Sequence, residues 1–127
     1  MRKLYVVSKD RYVLEKKGVH LIGVLTELDS GYRFEYKFGE STPHGVIGSL
    51  AIREFPDVSK VWEGESVNAF VKRLVPRKEG RFIQVALETA GLEEYDEWEL
   101  LKFYGTRNAK EDAYLFEELP ENLVIYE

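Results

Sequence analysis

Five carboxylates crowd one short segment of this chain: Glu93, Glu94, Asp96, Glu97 and Glu99. Paired carboxylates at that density are the raw material of general acid/base chemistry or of a hard-cation site. The same segment opens a helical pattern, where negative charge is stabilised by the helix dipole and Asp96 suits the N-cap. No histidine, lysine or arginine converges on these acids within the pattern, so the structural reading is preferred, with a small enzyme built on them as the alternative. His20 and His44 lack metal-ligand spacing and read as a strand residue and a loop residue. No phosphate-binding loop, dinucleotide fingerprint or nucleophile elbow occurs, and the chain has no cysteine, which removes disulfides, thiolate metal sites and a cysteine nucleophile. No metal and no cofactor are expected.

The cations are also unevenly placed. Lys72, Arg73, Arg77, Lys78 and Arg81 fall within ten residues of a chain whose net charge is −5. Residues 1–18 carry six Lys/Arg against two acids, and residues 93–127 carry eleven acids against three bases. An acidic total argues against nonspecific nucleic-acid binding, because that affinity comes from neutralising phosphates. Within Pro76–Phe82, Arg77, Lys78 and Arg81 accompany Gly80 and Phe82 in a tight interhelical turn. Two readings stay open there: a solvated loop whose Phe82 caps the core, or a partner-binding loop. Trp62 is the other candidate contact residue, since it lies in a polar loop without a periodic apolar partner and tryptophan is enriched at binding hot spots. It also has the alternative of folding under the sheet.

The elements that position these residues divide the chain in two. The first half reads as strand: Leu4–Val7, Tyr12–Glu15 across a weak turn at Ser8–Arg11, and Val19–Leu28 after the better turn Lys16-Lys17-Gly18. Gly23 inside that last pattern points to a bulge or a close backbone approach. Asp29-Ser30-Gly31 supplies turn chemistry and leads into Tyr32–Phe38, where Tyr32, Phe34, Tyr36 and Phe38 alternate with Arg33, Glu35 and Lys37. That is a strand with one aromatic and one charged face. Gly39–Gly45 reads as a loop, Val46–Ile52 as a strand weakened by Gly48, and Glu54–Gly64 as a polar loop.

Three helices follow. Ser66–Val75 places Val67, Phe70, Val71 and Leu74 on one face, with Ser66 as N-cap and Pro76 as terminator. A second helix runs from about Glu79 to Ala90, burying Phe82, Ile83, Ala86, Leu87 and Ala90, with Gly91 as left-handed cap and Leu92 folded back. The third spans Asp96–Tyr104, with Glu99 as capping-box partner of Asp96, Trp98, Leu100 and Leu101 for packing, and Gly105 as stop. Arg107–Asp112 is a polar turn, and Ala113–Phe116 and Leu123–Tyr126 return to the sheet. At 127 residues, 44% hydrophobic and 32% charged, this is one α+β domain: an antiparallel sheet from the first half, three short helices on one face and a returning strand. With no long apolar run and no signal segment, an intracellular, cytoplasmic protein without membrane contact is expected.

The order of these motifs resembles the N-terminal subdomain of HipA-type Ser/Thr kinase toxins and the small stand-alone HipS proteins. Four stretches carry the resemblance over roughly residues 18–118: Gly18-Val19-His20-Leu21-Ile22-Gly23-Val24-Leu25; Gly31-Tyr32-Arg33-Phe34-Glu35-Tyr36; Val67 with Ala69-Phe70-Val71-Lys72-Arg73-Leu74-Val75-Pro76; and Asp96-Glu97-Trp98-Glu99-Leu100-Leu101 with Gly105-Thr106-Arg107. Gly48-Ser49-Leu50 echoes the family's Ser-Leu-Pro strand with Ala51 in place of proline, and the family's Pro-Glu-Gly is expanded here to Pro76-Arg77-Lys78-Glu79-Gly80. The family's kinase machinery lies downstream of this subdomain, so the resemblance implies a non-enzymatic module. It would bind and restrain a separately encoded HipA-like kinase in a toxin–antitoxin system whose third component binds DNA. The segment near Pro76–Phe82 would face the kinase. The alternative is a phage or mobile-element protein using the same fold against another protein target.

Overall fold

The computed structural model describes residues 1–8, 19–38, 51–107, 113–118 and 123–124. The strand expected at Tyr12–Glu15, the loop at Gly39–Gly45 with His44, most of Val46–Ile52 and the turn after Arg107 lie outside these residues. The elements are β1 (Lys3–Ser8), β2 (Val19–Glu27), β3 (Tyr32–Tyr36), β4 (Trp62–Glu63), α1 (Glu65–Leu74), α2 (Ile83–Ala90), α3 (Glu97–Gly105), β5 (Ala113–Phe116) and β6 (Leu123–Val124).

Five strands form an antiparallel path in the order β4-β3-β2-β1-β5, and β6 joins β2 in parallel at Val19 and His20. The fold is α+β, with β5 returning to pair with β1. Four strands of that path, β1 to β4, come from the first half of the chain, and β5 at one edge comes from the second. The β2–β3 hairpin closes over Leu28–Gly31, where the Leu28 amide donates to the Gly31 carbonyl over 2.9 Å and Gly31 takes φ 86°. That angle strains any residue with a Cβ.

Both readings of Gly23 hold together. Val6 pairs with Gly23 but Val7 pairs with Leu21, so Ile22 is the bulged residue, and its carbonyl accepts from the Lys37 amide over 2.8 Å. A Cβ on Gly23 would run into the Glu35 carbonyl oxygen and lie 2.7 Å from the Phe34 ring.

Alternation does the rest. Leu4, Val6, Leu25, Phe34 and Leu115 are all fully buried on one face of the sheet. Phe34 is the hub: it stacks on Phe55 at 4.5 Å, meets Tyr36 edge-on at 4.8 Å and lies 6.3 Å from Phe70 of α1. Phe55 belongs to the segment read as a polar loop. It is fully buried there, and the Tyr36 hydroxyl donates to its carbonyl oxygen while accepting from the Ile52 amide. Burial first of all raises the Tyr36 pKa above the ordinary phenol value.

The helices keep their packing faces and change their ends. Val67, Phe70, Val71 and Leu74 of α1 are buried as their spacing requires. The N-cap is Gly64 at φ 80°, without a side-chain cap, so Ser66 lies inside the helix; a glycine there opens a turn that serine does not need to end. Val75 is extended, as a residue before proline must be. α2 is shorter than its pattern, because Glu79–Phe82 form turns, and its Gly91 cap at φ 74° and the Leu92 amide return to the Leu87 carbonyl. Asp96 caps α3 by accepting from the Glu99 amide at 3.2 Å, while the Glu99 carboxylate faces Lys102 and Arg2. Gly105 is the last helical residue and does not terminate α3 in a left-handed turn; a Cβ there would meet Leu115 at 3.1 Å.

Candidate functional site: a cationic turn beside an exposed apolar face

Local chemistry explains the shape of Pro76–Phe82. Pro76 ends α1, and the Arg77 carbonyl then accepts from the Gly80 amide over 2.9 Å. A Cβ at Gly80 would stand 2.9 Å from that same oxygen, so a glycine closes the turn without displacement. The Gly80 carbonyl accepts from the Ile83 amide over 3.2 Å, and α2 begins. Two tyrosines hold the arrangement from the other side. Tyr95 donates to the Pro76 carbonyl at 3.0 Å, and Tyr104 of α3 donates to the Ala86 carbonyl at 2.9 Å. Burial, with Glu97 and Glu79 nearby, raises the Tyr95 pKa above the ordinary phenol value.

The turn leaves its aromatic outside. Phe82 is 71% exposed and Val85 61% exposed. The reading in which Phe82 caps the core is therefore wrong, because the turn at Gly80 starts α2 late and rotates Phe82 off the buried face. Only Leu87 of α2 is buried, and Ile83, Ala86 and Ala90 are half-buried. Phe82, Ile83, Val85, Ala86 and Tyr104 line a concavity of about 410 Å³ that Arg77 and Arg81 border. A second concavity of about 270 Å³ lies on the other side of Arg77, with Lys72, Lys78, Glu79, Tyr95 and Glu97 in its wall.

The cation cluster separates into two groups. Arg73 turns inward and pairs with Glu54 at 2.9 Å, both side chains less than one-fifth exposed. Lys72, Arg77, Lys78 and Arg81 stay at the surface, and among the described residues no ion pair engages them. Lys78 lies 5.9 Å above the Tyr95 ring and Arg81 5.7 Å above its neighbour Phe82, within cation–π range.

Trp62 is placed apart from this turn. It occupies the edge strand β4 opposite Phe34, half-buried, and its indole N–H donates to the Asp57 carbonyl at 3.0 Å. Its ring lies 5.7 Å from Phe55, and Lys60 covers it at 4.6 Å. β4 precedes α1 and the turn follows it, so about 15 Å of helix separates the two candidates.

The acidic run is divided among structural partners. Asp96 caps α3, Glu97 accepts the Tyr32 hydroxyl at 2.6 Å, and Glu99 lies 3.2 Å from Lys102 and 3.5 Å from Arg2; Glu93 and Glu94 are exposed. Among the described residues no three His, Asp or Glu side chains gather as metal ligands. No described helix is long and apolar enough to cross a membrane. What sequence reading missed is Val85, which lay off the expected α2 face and is now one of the most exposed apolar residues. Neither the protein-family models nor the curated proteins searched return a match to this chain.

Proposed function

We propose that this domain is a non-enzymatic protein-binding regulator that captures a separately encoded HipA-like Ser/Thr kinase and restrains it, as the HipS-like component of a toxin–antitoxin system with a DNA-binding third member. The observation that carries the binding reading is the exposure of Phe82 and Val85 beside Arg77 and Arg81. A hydrogen-bonded turn that holds a phenylalanine 71% in water supports an interface, since a solvent-facing apolar patch rimmed by charge is a recurrent binding surface. The identity of the partner rests on the motif order described for residues 18–118.

Co-expression with an adjacent kinase that lacks this subdomain tests the reading. The two chains should co-purify, and the domain should relieve growth arrest by the kinase. Alanine at Arg77, Lys78 and Arg81 together should weaken capture. The absence of both co-purification and relief would defeat the proposal.

A further inference from the structure

Arg77 stands on the ridge between the two concavities, and their chemistries differ. The larger is apolar, and the charged residues in its wall, Arg77 and Arg81, are both cationic. The smaller sets Lys72, Arg77 and Lys78 against Glu79 and Glu97, and one oxygen of Glu97 already accepts the Tyr32 hydroxyl. This surface is thus positive on a chain of net charge −5, with four surface cations that no described carboxylate neutralises.

We infer that the occupant of this surface is an acidic peptide segment of the partner protein with an aliphatic or aromatic anchor, the anchor lying against Phe82 and Val85 and its neighbouring carboxylates meeting Arg77 and Arg81. The inference deepens the protein-binding reading and rests on it, without depending on the partner being a kinase. Charge complementarity selects the acids, because guanidinium groups form charge-assisted hydrogen bonds with carboxylates and repel basic partners. Apolar complementarity selects the anchor, since covering Phe82 and Val85 removes exposed hydrocarbon from water. A nucleic acid fits less well. The apolar concavity is largely aliphatic, without a series of stacking rings, and the chain as a whole repels phosphate.

Panning a random twelve-residue peptide display library against the intact protein tests this. Enriched sequences should carry Asp or Glu next to Leu, Ile, Phe or Trp. A synthetic peptide from that pool should bind about tenfold more weakly to Phe82→Ser and to the Arg77→Gln, Arg81→Gln pair, and more weakly as NaCl rises. All these positions are exposed, so thermal melts of the variants should match the parent. Enrichment of neutral or basic peptides would overturn the inference, as would unchanged affinity in the arginine pair or no enrichment over the triple variant. A dimer in sedimentation that Phe82→Ser disperses would name a second copy as the occupant and overturn it too. Displacement of the peptide by a single-stranded RNA twelve-mer would do the same for nucleic acid. If acidic peptides enrich while no kinase co-purifies, the surface stands and the kinase reading falls. If a kinase co-purifies equally with the triple variant, the kinase reading stands and this one falls.

Discussion

Tyr32 donates its phenolic proton to Glu97 over 2.6 Å, tying the first residue of β3 to the first turn of α3, and its ring stacks 6.2 Å from that of Trp98. These contacts join the two halves of the chain, since Tyr32 and Glu97 stand 65 positions apart in sequence. Burial first, then the hydrogen bond to Glu97, raise the Tyr32 pKa well above the ordinary phenol.

The sign of the resulting pH effect follows. A raised phenol pKa in the folded state means that the unfolded chain loses this proton first, near pH ~10. The stabilisation is therefore complete below about pH 10 and is lost as pH climbs towards the folded value. Tyr32→Phe should lower stability at pH 7 by about 1 kcal/mol and flatten its decline above pH 10. Tyr36 and Tyr95, also raised, retain part of that decline. Urea melts at pH 7 and pH 10.5 measure it, and identical alkaline slopes for parent and variant would contradict the assignment.

Gly23 should tolerate no side chain. Its Cβ would strike the Glu35 carbonyl and the Phe34 ring, and neither can retreat: one is sheet backbone and the other the hub of the aromatic core. Gly23→Ala is expected to cost about 2 kcal/mol or more. A thermal midpoint unchanged from the parent would show that the strand relaxes at that point.

Asp96 is the one side-chain N-cap among the three described helices. Asp96→Ala should cost about 1 kcal/mol, and Asp96→Asn, which keeps the acceptor, much less. Equal losses in the two variants would assign the effect to charge at the helix end instead of capping.

Trp62 and Phe82 should behave oppositely. Trp62→Ala removes a ring packed on Phe55 and is expected to lower stability by about 2 kcal/mol. Phe82→Ala should stay within about 0.5 kcal/mol of the parent while weakening partner capture. Chemical denaturation beside a pull-down separates them. A destabilised Phe82→Ala would mean that its ring is not a free surface.

Periodicity and turn chemistry were enough to determine most of the elements. Tyr32, Phe34 and Tyr36 alternate with polar residues, so any sheet must bury one face of β3; Val67, Phe70, Val71 and Leu74 share a stripe, so any helix there must bury it. Such demands are local, because they arise from backbone repeats of two and 3.6 residues. Gly31 and Gly91 marked their turns for the same reason: positive φ is a property of one residue.

Tertiary structure decided what local patterns cannot carry. Phe55 sits in a polar stretch and became core because Phe34 of β3 and Phe70 of α1 offered their rings. Phe82 belongs to an apolar helix pattern and became surface because the turn closed by Gly80 delayed α2, which then packed against Tyr104; Val85, off that pattern, is exposed beside it. Glu97 and Tyr32 were unrelated in sequence until β3 and α3 met. Burial depends on which faces oppose one another in space, and that is settled only when distant elements pack. The cations of Arg77 and Arg81 were visible from the outset; that they border exposed hydrocarbon was a consequence of the fold.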